Sequence, residues 1–324
     1  MRMKKFLSLV ALFLFVSLGL RAESGTCGAN LSWEYANATL TITGSGAMTN
    51  YESYNSVPWY SIRESIVQVS LPEELTTIGK NAFNSCTKLR LVTIPAKVTT
   101  IANNAFDNCQ ALSRVTFAQG STLQTIGEYA FTKCYALTSI SLPSSLKTIK
   151  KAAFRNCNKL TSITIPASCS SIEQDAFREC SELSEVVLKE GVKTIASNVF
   201  TSCPNLTSVT LPNSLIAIGT EAFNGCSSLT HITIPKNIKS IADKTFAYCT
   251  SLATISLPDS LTTIGYQAFY RSGLTEIDLP HSITSYANNC FQECRNLTSV
   301  TIPAGITSIP NEMFFDCNNL TSVS

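Results

Sequence analysis

The chain has 324 residues, 14% of them charged, with 24 Lys and Arg against 22 Asp and Glu. A nucleic acid takes most of its affinity from clustered cations, and neither this balance nor any local run of Lys and Arg supplies them, so no nucleic-acid partner is expected. Length alone suggests two domains, but self-similarity along the sequence overrides that estimate.

The N-terminus opens with Arg2, Lys4 and Lys5, and an apolar run from Phe6 to Leu20 precedes the small Ala22. This is the pattern of a secretory signal peptide over residues 1–22. Leu20 is large for the position two before Ala22, which leaves cleavage nearer Gly19 open. The run is shorter than the ~20 residues that span a bilayer, and no other stretch is apolar for as long. The mature chain is therefore expected to have no transmembrane span and to be secreted or held at the cell surface. Cleavage after Ala22 removes four basic residues (Arg2, Lys4, Lys5, Arg21) and no acidic one, leaving 20 basic against 22 acidic. Such a neutral chain, conspicuous in Ser, Thr and Asn, suits a polar surface outside the cell.

Residues 23–64 precede the repetitive region. Leu31 to Tyr35 and Thr39 to Thr43 alternate in polarity like a hairpin, with Ala36 to Ala38 as its turn. Such a β cap would cover the exposed apolar end of a repeat array.

From residue 65 to 324 one unit recurs. The Ala-Phe-x-x-Cys of Ala82-Phe83-Asn84-Ser85-Cys86 returns at Phe106/Cys109, Phe131/Cys134, Phe154/Cys157, Phe177/Cys180 and Phe223/Cys226, and, with Thr245 in place of the Ala, at Phe246/Cys249. Phe200/Cys203, Phe291/Cys294 and Phe314/Cys317 keep both residues but change the Ala, and Phe269 keeps the Phe while Ser272 stands for its Cys. These are eleven copies, most of them 23 residues apart. Three residues after each Cys a Leu opens a strand-like segment, as in Leu137-Thr-Ser-Ile140-Ser-Leu142-Pro143, whose alternation puts Ile140 and Leu142 on one face. The Pro ends it. A second apolar pair follows, such as Leu146 and Ile149, and Ile149 with Ala153, Phe154 and Cys157 falls at a spacing that allows one short helical turn. Each repeat thus reads as a strand, a corner, and a helical or irregular return, giving an α/β repeat solenoid with a parallel sheet on one side. Twelve strand segments, the first at Ile66 to Leu71, would stack over roughly 55 Å at ~4.8 Å per strand. A Phe ladder and a Cys ladder would run through its interior. The sequence stops in mid-repeat, at Leu320-Thr-Ser-Val323-Ser324, which reads either as a fragment or as a last strand left for a partner to cover.

The pattern Leu-Thr-Ser-Ile-x-Leu-Pro-x-x-Leu-x-x-Ile-x-x-x-Ala-Phe-x-x-Cys resembles the BspA-like, or Treponema pallidum type, subclass of bacterial leucine-rich repeats, over about Ile66 to Ser324. The segment from Cys27 through Trp33, Thr39 to Met48 and Pro58-Trp59-Tyr60 is similar to the leader that often precedes such arrays. The resemblance implies a surface or secreted protein serving in adhesion to host matrix, host cells or other microbes, and leaves the ligand unspecified.

The ten ladder cysteines recur one per repeat with no His at ligand spacing, so neither a metal nor another cofactor is expected. Stacked repeats bring their Cα atoms to ~5 Å, within disulfide range, but the side chains point the same way, so free buried thiols are expected. Cys169 and Cys290 stand at apolar repeat positions and read as small buried hydrophobes. The outward strand positions, two and four after each opening Leu, are mostly Ser and Thr. They depart from this at Arg114, at Glu185 with Val187, at His231 and at Glu276 with Asp278. The least regular patch, Glu185, Val187, Ser208, Thr210, His231 and Thr233, is the candidate footprint for a protein or glycan ligand, set against the plainer reading of a solvated polar sheet. Glu276 and Asp278 alone are too few for calcium, which takes ~6–8 oxygens. His231 and His281 are far apart in sequence and the repeat accounts for nearly every candidate residue, so no enzyme is expected. Two readings stand: an adhesin whose array is the binder, and a structural spacer or envelope protein displaying a further C-terminal region.

Overall fold

The computed structural model describes residues 23–324; the signal-peptide reading of 1–22 lies outside them. Three strands come first: β1 (Glu23–Gly28), β2 (Asn30–Ala36) and β3 (Thr39–Ala47). β2 and β3 pair antiparallel with Trp33 opposite Ile42. The two-residue loop between them, Asn37-Ala38, has φ of 50° and 61°, the left-handed pair that matches a hairpin's twist. β3 then forks. Thr39–Thr41 pair in parallel with β4 (Gln68–Ser70), while Gly46 and Ala47 pair with β5 (Leu75–Ile78).

That fork starts two parallel stacks. One is built from the expected strand of each repeat, twelve in all from β4 to Ser322–Val323, and the other from a second short strand such as Ser171–Ile172 or Thr194–Ile195. Between the stacks lies the core. Its center is a continuous column of stacked rings from Phe83 to Phe314, with neighbouring centroids 5.1–5.7 Å apart. Trp59 heads the column, 5.8 Å from Phe83 and nearly parallel to it, with its indole N–H donating to Ala82 O.

The returns differ from the expectation of a helical turn. Among the described residues the only helical segments are two 3₁₀ turns, Tyr54–Ser56 and Tyr60–Ser65, both ahead of the repeats. The architecture is a β-solenoid with little helix. The cause lies in the backbone two residues either side of each Phe, where φ is positive at every one of the twenty-two positions from Asn81 to Asp316. A left-handed residue every fourth position stops helical propagation. It also lets alternate N–H groups face alternate ways. Ala153, Arg155 and Cys157 donate within the repeat to Lys150, Ala152 and Phe154, whereas Ala152, Phe154 and Asn156 donate to Gln174, Ala176 and Arg178 of the next. A helix would consume all six internally and leave the repeats unjoined on this side.

None of those twenty-two positions holds Val, Ile, Thr or Pro, as β-branching makes positive φ costly. The exposed Lys133, with φ of 58°, gives a test. Lys133→Val is expected to destabilise the protein by about 1–2 kcal/mol in chemical denaturation, and equal stability of the variant would count against the left-handed assignment. The segment Gln119 to Thr122, where the repeat is two residues longer than the usual 23, bulges at the corner after Arg114–Phe117, and Thr125 and Ile126 return to register with Thr100 and Ile101.

Candidate functional site

The outward side of the first-strand stack is a polar sheet whose rows are set by parallel register. Ser162, Glu185 and Ser208 lie side by side in one row, and Thr164, Val187 and Thr210 in the next. His231 and Thr233 sit on the following strand, beside Thr254 and Ser256. The footprint expected from the sequence is thus divided. Glu185, Val187, Ser208 and Thr210 share one hydrogen-bonded sheet, while His231 and Thr233 belong to the next, across a break in the ladder. Val187 is half-buried and the other five are exposed. His231 is held in place: Nδ1 is 2.9 Å from Thr254 Oγ1 and Nε2 is 3.2 Å from Thr233 Oγ1. A neutral imidazole in this setting donates from one nitrogen and accepts at the other.

Breaks in the ladder create the recesses of this face. One of about 580 Å³ lies where Gln68 and Leu91 alone pair β4 with its neighbour, and is lined by Leu71, Leu91, Pro95 and Lys97 among others. A second, of about 450 Å³, opens between Ser139–Ile140 and Ser162–Ile165. A third, of about 340 Å³, opens between Thr254–Ser256 and Glu276–Ile277 and contains Glu276 and Asp278. The expected footprint lines none of the three. Sequence reasoning also passed over Leu91, which is 47% exposed at the outward position two after Leu89. Its position in the repeat was the available signal, masked because an apolar residue in a strand reads as core.

The Cys ladder has no open chemistry. All thirteen cysteines are free and buried. Each ladder thiol from Cys109 onward donates to the carbonyl of the preceding repeat's Phe, as Cys180 does to Phe154 O at 3.2 Å and Cys203 to Phe177 O at 3.3 Å. Burial pushes the thiols of Cys86, Cys203 and Cys249 up to about 12, far from the thiolate that nucleophilic or metal chemistry requires. Ser272, in the place of the missing Cys, bonds sideways to Cys294 Sγ at 3.3 Å. Among the described residues no three His, Cys, Asp or Glu gather as metal ligands, and no helix is long and apolar enough to cross a membrane.

With this geometry in view, the comparisons with known proteins are consistent. The model of the BspA type leucine-rich repeat region matches residues 59–146, 117–230 and 216–324. A leucine-rich cell surface protein of Faecalibacterium prausnitzii is 26% identical, with 93% of this chain and 94% of that one covered and a TM-score of 0.50. A leucine-rich repeat protein of Eubacterium ventriosum is 22% identical, covering 91% and 95%, with a TM-score of 0.52. No curated protein matches the sequence. The repeat, the two parallel stacks and the family match agree: the chain belongs to the BspA-type leucine-rich-repeat family.

Proposed function

We propose that the protein is an exported, non-enzymatic adhesin that recognises a macromolecule outside the cell through the outward face of its first-strand stack. The observation that carries this reading is the register of that face, which places Glu185, Val187, Ser208 and Thr210 in contact rows on a rigid sheet. A regular Ser and Thr surface offers little discrimination, so the irregular side chains supply specificity. Export rests on the basic and apolar pattern of the first twenty-two residues. β1 to β3 serve as the cap of the array, covering the apolar end at which Trp33 packs edge-on against Trp59.

The test is capture of a partner from host matrix and microbial surface preparations by the wild-type protein, repeated with Glu185→Ser, Val187→Ser and His231→Ser combined. The combined variant is expected to lose the partner at unchanged thermal stability, while substitutions on the returns keep it. Binding at this near-neutral face should weaken little between low and physiological salt. Full retention by the strand-face variant, with loss from return substitutions, would move the site to the other side.

A further inference from the structure

The corner between the two strands of each repeat carries a charge pattern that the linear sequence hides. Two residues before the second-strand Ile stands one outward residue per repeat, and stacking lines these up in a column that includes Lys147, Ser170, Lys193, Ile216 and Lys239. Backbone bonds join it directly: Lys147 N donates to Gln124 O at 2.8 Å, Lys193 N to Ser170 O at 2.8 Å and Ile216 N to Lys193 O at 2.9 Å. From Thr76 to Thr307 the column contains no Asp or Glu. All three lysines are exposed. The lysines that form ion pairs among the described residues are Lys80, Lys97 and Lys159, none of which belongs to the column. Glu190, three residues before Lys193, accepts from the backbone N–H groups of Asn213 and Ser214.

Two features of the column point to a ligand class. The lysines recur every second repeat, about 10 Å apart at the spacing of a sheet. That is beyond the ~8 Å screening length of physiological salt, so three separated ammonium groups are presented without strong mutual repulsion. Ile216, between Lys193 and Lys239, is 55% exposed where the other members of the column are polar. A linear ligand that alternates anionic groups with an apolar surface fits both features.

We propose that this corner is a second binding edge, for an extended anionic polysaccharide. Sulfate or carboxylate groups pair with Lys147, Lys193 and Lys239, and the apolar face of an intervening sugar ring rests on Ile216. A near-neutral chain with lysines 46 residues apart gives no sign of this, since only stacking makes them neighbours. The edge is separate from the strand face and stands whether or not that face binds.

Titration of the protein with a heparin-derived dodecasaccharide and with a polyuronate of equal length tells sulfate from carboxylate as the anion. A neutral oligosaccharide and an oligodeoxythymidine are the controls. At 50 mM NaCl at least one acidic oligosaccharide is expected to bind, with an affinity that falls with salt on a log–log slope of roughly 2–3, one counterion per lysine. Lys147→Ser, Lys193→Ser and Lys239→Ser combined should weaken it about tenfold or more at unchanged thermal stability. Ile216→Thr should weaken it about threefold. The proposal is overturned if neither acidic oligosaccharide binds at 50 mM NaCl or if the triple variant binds as the wild type does. It is equally overturned if oligodeoxythymidine binds as tightly and Ile216→Thr has no effect, which would reduce the edge to an unselective cationic surface. Loss of the strand-face variant's partner leaves this binding unchanged.

Discussion

Phe154→Ala is expected to destabilise the protein by about 3–5 kcal/mol, the range for emptying a buried aromatic site. Phe154 is fully buried between Phe131 at 5.3 Å and Phe177 at 5.2 Å, with ring planes within a few degrees of both. Its neighbours cannot close the gap, because their backbones are fixed by hydrogen bonds to the repeats on either side. In a one-dimensional array such a loss also weakens the coupling of the repeats before it to those after it. Phe314 is the internal comparison: it is only half-buried and stacks on Phe291 alone among the rings of the column. Phe314→Ala should therefore cost less than half as much. Chemical denaturation of both variants checks this, and equal midpoints for Phe154→Ala and the wild type would show that the rings do not hold the array.

Alkali is expected to unfold the protein cooperatively near pH 10 under reducing conditions. Burial raises the thiols of Cys86, Cys203 and Cys249 from the ordinary value of 9.0 to about 12, and the five other fully buried thiols from Cys109 to Cys226 are also raised. A group with a raised folded-state pKa contributes stability that is complete below the unfolded value and is lost as pH climbs toward the folded one. The window is thus pH 9 to about 12. Each such thiol costs about 1.4 kcal/mol per pH unit in that window. Eight acting together remove on the order of 10 kcal/mol within one unit, as much as a typical domain possesses. Stability measured by denaturant at pH 8, 9 and 9.5 should fall with a steepening slope, and Cys180→Ala should reduce that slope by one thiol's share whatever it does to stability at pH 8. An unchanged slope in Cys180→Ala, or a flat profile in the wild type, would place the thiols in contact with solvent.

Much of the array was legible because stacking repeats a short pattern. Spacing located every Phe and Cys of the ladders, the first strand of each repeat, and the bulge at Gln119 to Thr122. The return was misread because burial alone was used: Ile149, Ala153, Phe154 and Cys157 are buried at a helix-like spacing, yet Ala152 and Asn156 are left-handed, a property written in excluded residue types and not in apolar periodicity. The second strand, two residues long at Thr148–Ile149, is too short for any alternation to register. On the strand face, register was predictable from the repeat, so the rows of Glu185 and Val187 follow from the sequence. The ladder breaks that separate His231 from Thr210 and open the recesses do not, because the apolar pattern of the repeat is the same on either side of each break.

Hydrogen exchange of the protein with and without a captured partner tests the binding face most directly. Amides of Glu185–Leu188, Ser208–Thr210 and His231–Thr233 should slow on binding, while those of the returns around Phe177, Phe200 and Phe223 stay unchanged. Protection confined to the returns, with the strand peptides unaffected, would contradict the assignment of the first-strand face as the surface that binds.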